Sequence, residues 1–191
     1  EFRRVLFRSL LQKKEALAGH VNSALQEQFY RYIQGILREK SANISDLEGA
    51  IRLTNPEFSG KIEEEDLFSI QELNLLLFYA KCKMQRDTEQ GRELLEALLL
   101  YIQEHITDIQ AKNQIFPRAV SIYCQEVKEK QFSEKRYFLC KEALENSVQN
   151  QSFEYAVSIL EDLEKDSRYF GKNADCYQVW KNALKEIYQE V

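Results

Sequence analysis

The side chains that could do chemistry in this sequence are few and scattered. Two histidines (His20, His105) and four cysteines (Cys82, Cys124, Cys140, Cys176) supply all the imidazole and thiolate metal ligands and thiol nucleophiles. Neither histidine stands in a zinc-type ligand pattern, and no two cysteines form a C-x-x-C pair. His105 falls near the end of a predicted helix, where a cation is favoured by the backbone dipole, so a structural role is expected. The acidic run Glu63-Glu64-Glu65-Asp66 precedes a helix. It reads as a solvated segment near the positive end of a dipole rather than as a cation site. No G-x-S-x-G, phosphate-binding loop or G-x-G-x-x-G occurs. No catalytic residue, metal or cofactor is expected, and the chain is expected to bind partners rather than to catalyse.

Binding chemistry is suggested by polar groups inside apolar stretches. Asn74 interrupts the leucine-rich run from Leu73 to Phe78, and Arg118 follows Pro117 between Phe116 and Ala119. An asparagine amide can pair with the backbone of an extended peptide, and an arginine can take a carboxylate through two parallel bonds. Asn74 and Arg118, with Lys81 and Tyr123 as weaker members, are the candidate groove contacts for a peptide or protein. The simpler alternative is that they occupy ordinary solvent-facing helix positions. Ten tyrosines, eleven phenylalanines and one tryptophan are present. They are expected chiefly to fill gaps between helices, with Trp180 in the core, and so are the cysteines, as small buried hydrophobes of a reducing, cytoplasmic compartment.

These side chains must be positioned by helices. Six glycines and two prolines are too few for a chain of many strands and turns. Apolar residues recur with helical period over about 22–40, 45–54, 69–84, 88–106, 108–129, 133–150, 153–169 and 173–190. Ser45 with Glu48, and Ser69 with Glu72, have the spacing of capping boxes. Asn55 to Gly60 reads as a loop, and Pro117 should kink the fifth helix. The last helix is expected to turn Cys176, Trp180, Ala183, Leu184, Ile187 and Val191 inward. No apolar run approaches the roughly 18 residues that span a bilayer, so no membrane contact is expected.

Glu1 to Ser9 read EFRRVLFRS, which coincides with one translated frame of a short-read sequencing adapter. Residues 1–9 are therefore expected to be non-native, leaving 10–191 as one helical-repeat domain. The only methionine is Met84, and a segment before Leu10 is expected to be missing. Without Arg3, Arg4, Arg8 and Glu1 the balance is 23 basic against 30 acidic residues. A domain that acidic, with no basic stripe, is not expected to grip nucleic acid by itself.

Short links force consecutive helices to pack antiparallel. The pairs 69–106, 108–150 and 153–190 have nearly equal lengths, which predicts an all-α fold of stacked helix pairs. The expected architecture is a right-handed, tetratricopeptide-like solenoid. Gly91, Leu95 and Leu98 fit the small–bulky–apolar spacing of such repeats, as do Cys140 and Ala143. Arg136, however, holds a place meant for a small residue.

The stretch from Gln26 to Val191 resembles the C-terminal repeat region of bacterial XRE-type helix-turn-helix transcriptional regulators, akin to the Rgg/PlcR group. The likeness is carried by Leu47 to Phe58 (LEGAIRLTNPEF), by Ser69 to Leu73 and by Leu98 to Ile106. Phe116-Pro117 and Cys140 with Ala143 complete it. It implies a ligand-sensing, possible-peptide-binding and homodimerising domain whose parent touches DNA only through an absent N-terminal domain. The alternative is a repeat scaffold with no DNA-binding domain. Arg136 departs from the pattern, and Lys130 and Gln131 stand where a repeat's first helix often ends in glycine.

Overall fold

The computed structural model describes residues 23–37, 43–63, 65–126 and 133–189. Among them it is all helix and turn. The elements are α1 (Ala24–Leu37), α2 (Ile44–Ile51), α3 (Ile70–Met84), α4 (Thr88–His105), α5 (Ile109–Glu126), α6 (Glu134–Gln149), α7 (Ala156–Tyr169) and α8 (Asp175–Gln189). The eight periodic segments of the sequence become these helices; the second is shorter than expected, Ile44–Ile51 against 45–54, and the expected ends at 22, 38–40, 127–129 and 190 lie outside the described residues. Residues 1–9, His20, Lys130, Gln131 and Val191 lie outside the described residues. No helix among those described is long and apolar enough to cross a membrane.

Local chemistry sets the helix ends. Ser69 Oγ accepts from the Glu72 amide at 3.3 Å while the Ser69 amide donates to Glu72 Oε2 at 2.8 Å, the reciprocal capping box expected for α3. At α2 the expectation is corrected: the cap is Asn43, whose Oδ1 accepts from the Ser45 amide at 3.2 Å. Asparagine caps as well as serine and simply stands earlier. α5 runs through Pro117 as one helix, Ile109–Glu126. Pro117, which has no N–H, cannot donate to the Asn113 carbonyl.

The chain divides into two compact units at Leu94/Leu95, inside α4. In the first unit α1 packs on α2 and α3, and α2 on α3. Leu47, Ala50, Ile51, Leu73, Leu76 and Leu77 are its core. Gln28 is buried in α1, and its Nε2 donates to the Ala50 carbonyl at 3.1 Å and to Thr54 Oγ1 at 2.5 Å. The loop after α2 is anchored by Phe58, whose ring meets Tyr79 edge-on at 5.9 Å. Asp66, from the acidic run, clasps that loop by accepting from Asn55 Nδ2 at 3.0 Å and from the Glu63 amide at 2.8 Å. Gly91 permits the tight α3–α4 turn: a Cβ there would lie 2.6 Å from the Met84 Cα.

In the second unit α5 packs on α6 and α7, α6 on α7, and α7 on α8. Its core draws on Leu98 and Ile102, Phe116 and Val120, Cys140 and Ala143, and Leu160 and Leu163. Gln103 ties α4 to α6 by donating to Glu142 Oε2 at 2.7 Å, and Lys112 Nζ donates to the Gln103 carbonyl at 3.0 Å. In this unit α5, α6, α7 and α8 pack as successive antiparallel neighbours.

Candidate functional site

The four groove candidates fall as pairs in separate units. Asn74 and Lys81 lie on α3, seven residues apart and so on one face of the helix, two turns from each other. Both are half-buried. Asn74 Nδ2 donates to the Ile70 carbonyl at 2.9 Å, one turn back, so one amide proton serves its own helix. Arg118 and Tyr123 lie on α5, five residues apart, which places them about 140° apart around the helix. Arg118 is half-buried, but Tyr123 is only 3% exposed. Its ring belongs to the packed interior and shows a ligand little surface. The spacing that placed both beside an apolar run does not place them on one face.

A different set of groups is brought together in the second unit. Arg136 reaches from α6 to Asp166 on α7, with Nε 3.0 Å from Oδ2 and Nη2 bonded to Oδ1. Asp166 is completely buried. Its carboxylate pushes the guanidinium pKa up, outweighing the burial that works against the charged form. Arg136, which departs from the small-residue spacing expected from the sequence, is thus one half of a buried fork-like ion pair. Asp162 stands one turn before, held above its ordinary value chiefly by burial. Beside this pair Cys124 Sγ and Cys140 Sγ are 3.5 Å apart. Sixteen residues separate the two cysteines, and only the antiparallel packing of α5 on α6 joins them.

The second feature that the sequence did not place is the outer surface of α8. Val179 and Trp180 are 65% and 52% exposed, and Cys176, Ala183 and Ile187 share that exposed face. Cys176, Trp180, Ala183 and Ile187, expected to face inward, are instead exposed, because the face of α8 that packs is the one carrying its lysines. Inward the helix turns Tyr177, Lys181, Leu184 and Lys185, all half-buried, with the two lysines directed at α7. Lys181 Nζ bonds Glu164, and Lys185 Nζ donates to Glu161 Oε1 at 2.6 Å. The lysines hold both glutamates below the ordinary carboxylate range. Glu164 is buried and is answered from two sides, by Lys181 and by Arg168 Nη2 at 2.6 Å, so the helix face that carries Lys181 and Lys185 is drawn to α7. This orders the two faces of α8.

A shallow groove of about 260 Å³ lies between α4 and α6, floored by Leu99, Leu100 and Leu139 and rimmed by Glu96, Gln103 and Lys135. None of the four groove candidates lines it. The rim is self-satisfied, since Lys135 Nζ reaches Glu96 at 3.4 Å. Among the described residues no three His, Cys, Asp or Glu side chains converge as a metal site would require. Comparison with known proteins returns no match to a family model, to a curated protein or to a solved structure.

Proposed function

We propose that this chain is a partner-binding helical domain that self-associates through the outer face of α8. The observation that carries the reading is that α8 turns Val179, Trp180, Ala183 and Ile187 to solvent while spending its lysines on α7. A contiguous apolar stripe of this kind marks a docking surface. The occupant argued for is a second copy of the chain. The charged side chain on this face, the exposed Glu186, stands seven residues from Val179 at the border of the stripe, so an identical stripe can lie against it while that carboxylate stays in solvent. The small Ala183, between Trp180 and Ile187, lets a second helix approach.

The finer reading is a tetratricopeptide-like solenoid serving as the ligand-sensing and dimerising part of an XRE-type regulator of transcription. It is supported by contacts between helices two apart, α1 with α3 and α5 with α7, as stacked pairs require. The sequence likeness described above points the same way. A peptide ligand would act by preferring one arrangement of the helices over another, since equal affinity for both shifts nothing.

Sedimentation of the full chain tests the docking reading. A dimer that Trp180→Glu converts to a monomer is the expected result, with helical content unchanged. A monomer at every concentration up to about 100 µM, or a dimer indifferent to Trp180→Glu, overturns it. Titration with short peptides tests the sensor reading separately, and an absence of binding leaves dimerisation standing.

A further inference from the structure

The buried polar cluster of the second unit holds chemistry that the docking face does not use. We propose that Cys124 and Cys140 form an oxidation site, at which a hydroperoxide converts the two thiols into an intrachain cystine that staples α5 to α6. Their sulfurs are 3.5 Å apart across the helix pair. A disulfide needs about 2.05 Å, so the sulfurs must close by roughly 1.5 Å, within the swing of the two side-chain rotors. The other cysteines stand elsewhere: Cys82 is buried in the first unit, and Cys176 is exposed on α8.

The two thiols are not equivalent, and the difference orders the reaction. Cys124 is half-buried, so a small peroxide can reach it, and the Arg136 cation is within electrostatic range of its sulfur. Cys140 has no exposed surface. Its hydrogen bond to Cys124, its burial and the negative fields of Asp162 and Asp166 all hold its proton in place. Cys124 is therefore the group attacked first. Its sulfur takes an oxygen from the peroxide as the O–O bond breaks, giving a sulfenic acid and one water or alcohol. Cys140 sulfur then attacks Cys124 sulfur. The S–S bond forms, the S–O bond breaks, and the departing hydroxide leaves as water with the Cys140 thiol proton. Two thiols lose two electrons, and the peroxide takes them up.

The consequence follows from the location. The connection between α5 and α6 becomes a closed loop, and the fold that carries the Arg136–Asp166 pair is clamped around it. In reducing surroundings such a bond is transient, as a signal of oxidant should be. Neither the dimer nor the ligand reading is needed for this inference.

The test is mass spectrometry of the reduced full chain after brief exposure to hydrogen peroxide. Expected are a mass loss of about 2 Da, loss of two of the four thiols, and one linked tryptic pair containing residues 124 and 140. Lys128, Lys130, Lys135 and Arg136 provide the cleavages that separate the two peptides. The oxidised chain should melt roughly 5–10 °C higher and return on reduction. Cys124→Ser should abolish the mass loss. Cys140→Ala should leave a sulfenic acid at position 124 that a dimedone probe traps. If Cys140→Ala does not fold, the half-buried Cys124→Ser with the linked-peptide map decides alone. Linkage through Cys82 or Cys176, survival of all four thiols, or over-oxidation without a link overturns the inference.

Discussion

α3 and α8 are both helices of 15 residues, and they treat their apolar side chains in opposite ways. α3 buries nine residues, including an unbroken run from Leu75 to Ala80, and is enclosed on nearly all sides. α8 is strongly amphipathic, yet it presents its apolar stripe to solvent and packs through Tyr177, Leu184 and two lysines. The difference lies in the neighbour. α2 and α1 offer α3 apolar side chains, whereas α7 offers α8 the carboxylates of Glu161 and Glu164. An apolar stripe states that a helix wants cover; it does not state which element supplies it.

The contrast can be broken most sharply by truncation. Leu76→Ala in α3 removes a fully buried side chain and should cost about 3–4 kcal/mol in urea denaturation. The matching change on the outer face of α8, Ile187→Ala, should cost less than about 0.5 kcal/mol. Equal losses at concentrations where the chain is monomeric would mean that the outer face of α8 is covered within the chain itself and that the contrast is mistaken. Gly91→Ala should cost about 2 kcal/mol, because the added methyl meets the Met84 backbone rather than a flexible side-chain tip. A neutral result there would show that the α3–α4 turn relaxes, and that the enclosure of α3 is looser than its burial suggests.

What was legible follows the same division. Helix positions were readable because a 3.6-residue period and the Ser69–Glu72 box are local signals. The cap of α2 was misplaced by two residues because Asn43 and Ser45 are both good caps, and geometry alone chooses between them. Arg136 was recognised as a misfit, but its partner Asp166 is 30 residues on and carries no local mark. The Cys124–Cys140 contact likewise exists only after α5 and α6 have packed. Trp180 was placed inside because pattern gives the direction of a stripe on its own helix and not toward the rest of the molecule. Of the four groove candidates, Tyr123 is the one the sequence itself argues against, since a position five residues from Arg118 cannot share its face.

Smaller effects sharpen the α8 side of the comparison. Lys181→Met should cost about 1–2 kcal/mol, since it leaves the buried Glu164 carboxylate with less compensation. Acid should act on the same contact. Glu161 and Glu164 titrate below 4.5 in the folded chain because Lys185 and Lys181 hold them charged. Their contribution is therefore complete above about pH 4.5 and is lost as the pH falls through the depressed folded values. Asp162, raised chiefly by burial, works the other way, because its protonation on acidification relieves a buried charge. Trp180 is the only tryptophan, so its fluorescence anisotropy reports α8 alone. Anisotropy should fall on acidification in the native chain and change less in Lys181→Met. A rise on acidification would show that the lysine pairs do not hold the helix.

Another small effect separates a covered helix from an uncovered one. Trp180→Ser deletes the largest side chain of α8. In a core position such a change would cost about 3–5 kcal/mol. With half of the ring already in water, the loss in a dilute monomer should stay below about 1 kcal/mol. Concentration then becomes the informative variable. If two copies dock through this stripe, the native chain gains stability as it is concentrated while Trp180→Ser does not, because only the native chain has a dimer to populate. If both chains keep a concentration-independent melting temperature, the stripe has another occupant or none. A large loss at low concentration would put Trp180 back in a core, and α8 would then resemble α3 after all.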